Sequence, residues 1–121
     1  MNQTIAPARH VHLDIELTPE AQFQYRSRGQ DARRTILHHG DAITFTCSDR
    51  FTLQFTGPSP FREAALPAHQ ETMLQSHEWF VTSHVRETVP PGRYPYTVEV
   101  IQGPRAFQDH PEIVVENPEP A

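Results

Sequence analysis

The chain has 121 residues, a length typical of one domain, and hydrophobic residues make up 36% of it. Its formal net charge of -5 argues against general nucleic-acid binding, which needs a basic face. Cys47 is the only cysteine, so an intrachain disulfide is excluded and a reducing, cytoplasmic location is expected. No apolar run approaches the roughly 20 residues that span a bilayer, so no membrane partner is expected either.

Strict alternation of apolar and polar residues predicts β-strands in the first half of the chain. His10–Leu17 places its apolar side chains on one face and His10, His12, Asp14 and Glu16 on the other. The same alternation predicts strands over residues 42–47 and 51–55, which are separated by a hairpin-length turn. A short strand is predicted over residues 36–38, before the turn at Gly40. The polar segment 18–34 is predicted to be irregular.

The second half repeats the pattern over residues 79–85, 94–100 and 113–115. Pro95 interrupts the longest of these runs and predicts an edge or a bulge there. At most one short helix is predicted, within residues 61–77. About seven strands with turn signals between them predict an all-β fold, a two-sheet Greek-key sandwich. One domain is predicted over residues 9–116, with loose ends at 1–8 and 117–121.

Three segments resemble those of a known superfamily. Residues 40–45, Gly-Asp-Ala-Ile-Thr-Phe, resemble the Gly-Asp-x-Val-Thr-Phe strand of cupredoxins. Residues 91–96, Pro-Gly-Arg-Tyr-Pro-Tyr, resemble the strand that precedes the cupredoxin metal loop, and residues 111–115 resemble the closing strand. The chain is therefore similar to cupredoxin-like, immunoglobulin-like β-sandwiches over about residues 36–116, and most similar in kind to small bacterial domains of no known activity.

The copper ligands that the resemblance implies are not carried over. The position of the family's cysteine is occupied by Val98, and residues 101–109 contain neither the expected histidine nor the methionine. Cys47 lies on a different strand, where a free cysteine is expected to act as a small apolar core residue. The resemblance therefore implies a domain without type 1 copper, and no cofactor is expected.

Histidines offer one alternative site. His10 and His12 lie two apart on the polar face of one strand, so they are close enough to share a metal ion. If the strand of His38 pairs with theirs, three imidazoles meet, as in three-histidine zinc or copper sites. The competing interpretation is a solvated sheet face that happens to carry histidines.

Exposed aromatic residues offer an interaction site instead. Phe61 follows a proline turn, Phe80 lies on the face opposite Trp79, and Phe107 is placed in a loop. Clustered, they would mark an interface for a protein partner or a second copy; otherwise they cap the ends of the sandwich. An open strand edge is a second route to a homodimer. No catalytic motif is present, so an enzyme is the least supported alternative and no catalytic residue is assigned.

Overall fold

A computed structural model describes residues 8–70 and 78–117 of the chain. Within these ranges every regular element is a strand, and no helix occurs. The thirteen strands are, in chain order, β1 (His10–Leu17), β2 (Phe23–Ser27), β3 (Gln30–Asp31), β4 (Arg34–His38), β5 (Ala42–Cys47), β6 (Arg50–Gln54), β7 (Ala65–Pro67), β8 (His69–Gln70), β9 (Trp79–His84), β10 (Gly92–Pro95), β11 (Thr97–Gln102), β12 (Arg105–Asp109) and β13 (Glu112–Glu116). The predicted all-β architecture is confirmed.

One layer is a six-stranded sheet with the order β3-β2-β1-β5-β9-β8. β1 and β5 run parallel in it, with Leu13 opposite Phe45, and the other pairings are antiparallel. The alternation read from the sequence sets which face is inside: Leu13, Ile15, Ile43 and Phe45 are buried, while His12 and Asp14 stay exposed.

The second layer is organised by one long hairpin. β10 pairs with β13 and β11 with β12, and both pairings follow one register, from Gly92 opposite Val115 to Gln102 opposite Arg105. At the junction, the N–H of Tyr96 donates to the carbonyl of Pro111 at 3.1 Å. β4 adds in parallel to β13, and β6 and then β7 add beside β11. The three- and four-stranded sheets therefore continue each other as one layer.

The core between the two layers is rich in aromatic rings. Phe45 makes edge-to-face contacts with Phe61 and Tyr96, with ring centroids 6.5 and 6.1 Å apart. Phe55 packs against the same two rings at 5.7 and 5.4 Å. Such pairs add to the free energy gained by burying apolar area, so this cluster ties the layers together.

One predicted detail was wrong, and two others can be compared directly with the structure. Segment 18–34 is not irregular: it contains β2 and β3, because Tyr25 turns inward and is buried. The edge predicted at Pro95 is confirmed: β10 is an edge strand, and the run over residues 94–100 is divided at Tyr96, next to Pro95, which has no N–H to donate. Residues 61–70 hold β7 and β8 and no helix, and the rest of the predicted helical range, 71–77, lies outside the described residues.

Replacing Phe45 with alanine tests the importance of the aromatic cluster. We expect Phe45→Ala to lower the free energy of unfolding by about 3–5 kcal/mol, because the cavity that it leaves is closed on all sides. Urea denaturation followed by tryptophan fluorescence measures this change. Phe80→Ala is the matched control, since Phe80 lies outside the core and is only half-buried. Equal losses in the two variants would contradict the assignment of the core.

Candidate functional site

His10 and His12 lie together on the outer face of the six-stranded sheet. Their imidazole rings are stacked, with centroids 4.5 Å apart and planes 18° from parallel. The Nε2 atom of His10 is 2.7 Å from the hydroxyl of Thr44, which is in turn 2.8 Å from the hydroxyl of Thr82. The hydrogen-bonded chain crosses three strands and fixes the orientation of the His10 ring.

The condition for a three-histidine site, pairing of the His38 strand with that of His10 and His12, is not met. His38 lies at the end of β4, which pairs with β13 in the second layer and not with β1. The backbone N–H of His38 donates to Asp41 at 2.8 Å. Across residues 8–70 and 78–117, no three histidine, cysteine or acidic side chains come close enough together to hold a metal ion.

Val98, at the position of the cupredoxin cysteine, and Cys47, the cysteine of this chain, are both in the core. Val98 is fully buried on β11, and Cys47 is buried on β5, between Ile15 and Trp79 on the neighbouring strands. Burial raises the pKa of the Cys47 thiol above its usual value, despite hydrogen bonds from backbone groups of Asp49 and Ser48 that lower it. The side chain is therefore a neutral thiol within the apolar interior.

The three aromatic residues proposed as a patch do not form one. Phe61 is 1% exposed and belongs to the core cluster, so its predicted exposure is wrong. Phe80 is half-buried on the outer face of the six-stranded sheet, opposite Thr46 and His69. Phe107 is half-buried on β12 in the other layer, opposite the buried Val100. The large apolar side chain with the greatest exposure among the described residues is Ile36 of β4, at 48%.

Asp41 anchors the start of β1 to the turn between β4 and β5. One carboxylate oxygen accepts from the N–H of Arg9, and the other accepts from the Arg9 guanidinium at 2.8 Å and from the N–H of His38. Burial acts to raise the pKa of Asp41, but the bonds from the Arg9 side chain and from these backbone groups outweigh it, and the pKa is lowered. Asp41 is a structural carboxylate whose oxygens are fully engaged.

Asp109 joins the two layers near the start of β4, whereas Asp41 lies beyond the end of that strand. Its carboxylate accepts from the phenol of Tyr25 at 2.9 Å and, through both oxygens, from the guanidinium of Arg33 at 2.5 and 2.8 Å. The Arg33 guanidinium also lies 5.8 Å from the centre of the Tyr25 ring. Burial, followed by the hydrogen bond to Asp109, raises the pKa of Tyr25, which therefore stays a neutral donor.

Tyr96 is the second tyrosine near this group, and its hydroxyl differs from that of Tyr25. It is buried, and it is the one buried side-chain polar atom in the described part of the chain that has no hydrogen-bond partner. Burial raises the pKa of Tyr96, and the negative charge of Asp109 adds to the effect. An unsatisfied buried hydroxyl costs stability, so the Tyr96 ring is retained here at a cost that phenylalanine would not incur.

A cleft of about 630 Å³ lies at the end of β9. Arg62, Glu63, Ser83, His84 and Arg86 contribute to its lining. The Ser83 hydroxyl donates to the Glu63 carboxylate, with 3.2 Å to either oxygen. Ser83 is buried whereas His84 points to the opposite face of the strand, so the two do not form a nucleophile and base pair.

The edges of the second layer are unequally protected. In an antiparallel ladder, alternate residues direct their backbone N–H and C=O away from the partner strand. The bond from Tyr96 to Pro111 identifies which residues of the long hairpin hydrogen-bond across it. The backbone groups of Pro95 in β10 and of Ala106 and Gln108 in β12 therefore point away from the partner strand. The bond from Ala68 to Phe51 does the same for β7, where Pro67 faces outward. Two edges thus carry proline where a donor would be exposed, and β12 does not.

The strand order defines the class of protein as a two-layer, all-β sandwich. No family model matches the chain. No curated protein matches it. Among solved structures, a crystal structure of a single-residue variant of rusticyanin, a cupredoxin, matches with a TM-score of 0.41 and 13% identity, covering 94% of this chain and 85% of that one. The fold assignment rests on the strand pairings. None of the described segments is a helix that could cross a bilayer.

The two buried tyrosines predict opposite effects of the same substitution. Tyr25→Phe removes a hydrogen bond to a charged group, so we expect it to lower the free energy of unfolding by about 1.5–3 kcal/mol. Tyr96→Phe removes an unsatisfied hydroxyl, so we expect unchanged or increased stability. Urea unfolding of both variants measures the difference, and a large loss in Tyr96→Phe would show that its hydroxyl has a partner.

Asp41 predicts a pH-dependent contribution to stability. Its pKa is lower in the folded state than the ordinary aspartate value of about 3.9, so its contribution is present above that value and is lost as the pH falls through the folded pKa. We expect Asp41→Asn to lower the free energy of unfolding by about 1–3 kcal/mol at pH 7, and the deficit to shrink as the pH approaches 2.5.

Urea titrations at several pH values test this dependence. Glu20→Gln, at an exposed turn position, is the matched control and should leave the profile unchanged. A deficit in Asp41→Asn that stays constant down to pH 2.5 would contradict the role assigned to its charge.

Proposed function

We propose that the chain is a metal-free, cupredoxin-like binding or assembly module whose partner is another protein chain, including a second copy of itself. The observation that carries this proposal is the unequal protection of the strand edges in the second layer. Pro67 and Pro95 stand where β7 and β10 would otherwise direct a backbone donor outward. Ala106 and Gln108 stand at the equivalent positions of β12.

An open edge of this kind binds by adding a strand. A neighbouring chain satisfies the outward N–H and C=O groups, and side chains next to the strand supply apolar contact. Phe107, half-buried at the centre of β12, is such a side chain. The family part of the proposal is supported by the sequence resemblance over residues 36–116 and by the two parallel pairings, β1 with β5 and β4 with β13. The metal-free part is supported by Val98 at the position of the cupredoxin cysteine.

Light scattering tests the self-associating form of this function. We expect the mass of the full chain to rise toward that of a dimer between about 1 and 500 µM, because a short strand edge gives an interface at the small, weak end of the known range. A constant monomer mass over that range, at physiological salt, would contradict self-association.

A metal-binding function is the second candidate, because His10 and His12 are stacked on one face. Two imidazoles on one strand face suit Zn²⁺ or Cu²⁺, with solvent completing the coordination. His38 has no part in this candidate, since it lies in the other layer.

Calorimetric titration of the untagged chain with Cu²⁺ tests this candidate. We expect one ion to bind, and His12→Ala to weaken binding about tenfold or more through loss of one of two ligands. His110→Ala removes an exposed histidine elsewhere on the surface and is the matched control. No binding to the unaltered chain, or equal affinity in all three proteins, would remove the candidate.

A further inference from the structure

We propose that β12 pairs antiparallel with β12 of a second copy, about a two-fold axis at Phe107. This joins the second layers of the two copies into one continuous sheet. The inference rests on the proposed function in its self-associating form, and it names the surface, the partner and the register.

β12 is the best available edge in the described part of the chain. It has five residues, no proline, and β11 as its only strand neighbour there. The edges β3 and β8 have two residues each, which is too short for a stable addition. β4 has five residues, but the Arg9 guanidinium lies 3.5 Å from the Ile36 carbonyl, and the His38 N–H is bound to Asp41.

Backbone geometry allows the strand to pair with itself. Ala106 and Gln108 direct their N–H and C=O groups outward, because they alternate with Phe107, which bonds to Val100 across the hairpin. Pairing about Phe107 places Ala106 of one copy opposite Gln108 of the other. Each such pair exchanges two hydrogen bonds, so the two-fold axis generates four.

Charge complementarity selects this register over its neighbours. Centring on Phe107 places Arg105 of one copy opposite Asp109 of the other, twice, at the two ends of the interface. A shift by two residues in one direction places Gln108 opposite Pro104, which has no N–H to donate. A shift in the other direction places Asp109 opposite Phe107. Neither shifted register pairs opposite charges.

The Asp109 carboxylate is already paired with Arg33, so Arg105 of the second copy would add a further contact to an existing ion pair. Tyr25 and the bidentate Arg33 fix this carboxylate on the same face of β12 as Arg105 and Phe107, because alternate residues of a strand share a face. The two copies of Phe107 meet at the axis, where each half-buried ring covers the other. The interface is therefore self-complementary, as a two-fold contact requires.

A matched pair of proline substitutions tests the edge. Ala106→Pro removes one outward donor from β12 and leaves the bonds to β11 intact, as Pro67 and Pro95 do on the other edges. Ala65→Pro makes the same change at an outward position of β7, beside Pro67. Light scattering of the full chain and both variants should show that Ala106→Pro weakens the dimer about tenfold or more, while Ala65→Pro does not. Circular dichroism checks that both variants keep the native β spectrum.

A cysteine substitution tests the register. Under mild oxidation, Phe107→Cys should form an intermolecular disulfide, because the two positions face each other across the axis at non-hydrogen-bonded distance. Ala106→Cys, displaced from the axis, should not. If Ala106→Pro dimerises as strongly as the unaltered chain, the β12 interface is wrong. Self-association would then use another surface of the domain. A chain that is monomeric at every concentration would overturn both the interface and self-association.

Discussion

The uninterrupted register of the hairpin over residues 92–116 is the constraint on which the second layer depends. β4 pairs with one arm of this hairpin and β6 with the other, so a slip of one residue would move Tyr94, Val98 and Ile113 from the core to solvent. Pro95 and Pro111 lie at the junction between its halves, and the bond from Tyr96 to Pro111 continues the ladder there. Tyr96 therefore contributes through its backbone hydrogen bond and the packing of its ring, while its unsatisfied hydroxyl lowers stability.

Period-two alternation was enough to predict the main strands, because each buries one face and the pattern registers that burial directly. His10–Leu17 and Ala42–Cys47 are found with the boundaries that the pattern gave. β2 was missed because only Phe23 and Tyr25 of its five residues are large and apolar, and the surrounding polar residues hid them. β12 was missed because its side chains are mostly exposed, so alternation carries no signal at an edge.

The candidate sites were harder to predict, because they depend on which strands become neighbours. His10 and His12 share a strand, so their proximity followed from spacing alone. His38 lies away from this pair because β4 joins the other layer. β4 pairs there with residues near position 113, and no local sequence pattern indicates so distant a pairing. Tyr25 and Asp109, which are hydrogen-bonded to each other, lie 84 positions apart in the sequence. Their contact, which Arg33 shares, could not be predicted for the same reason.

The parallel pairing of β4 with β13 has a consequence for biosynthesis. Thr35 must wait for Ile113 before its strand acquires that neighbour, so on the ribosome the second layer stays incomplete until Glu116 has left the exit tunnel. Contacts this distant along the chain form slowly, and unfinished sheets present apolar surface to other nascent chains. The edge of β4 that β13 covers in the native sheet is therefore open to wrong pairing for as long as β13 is absent.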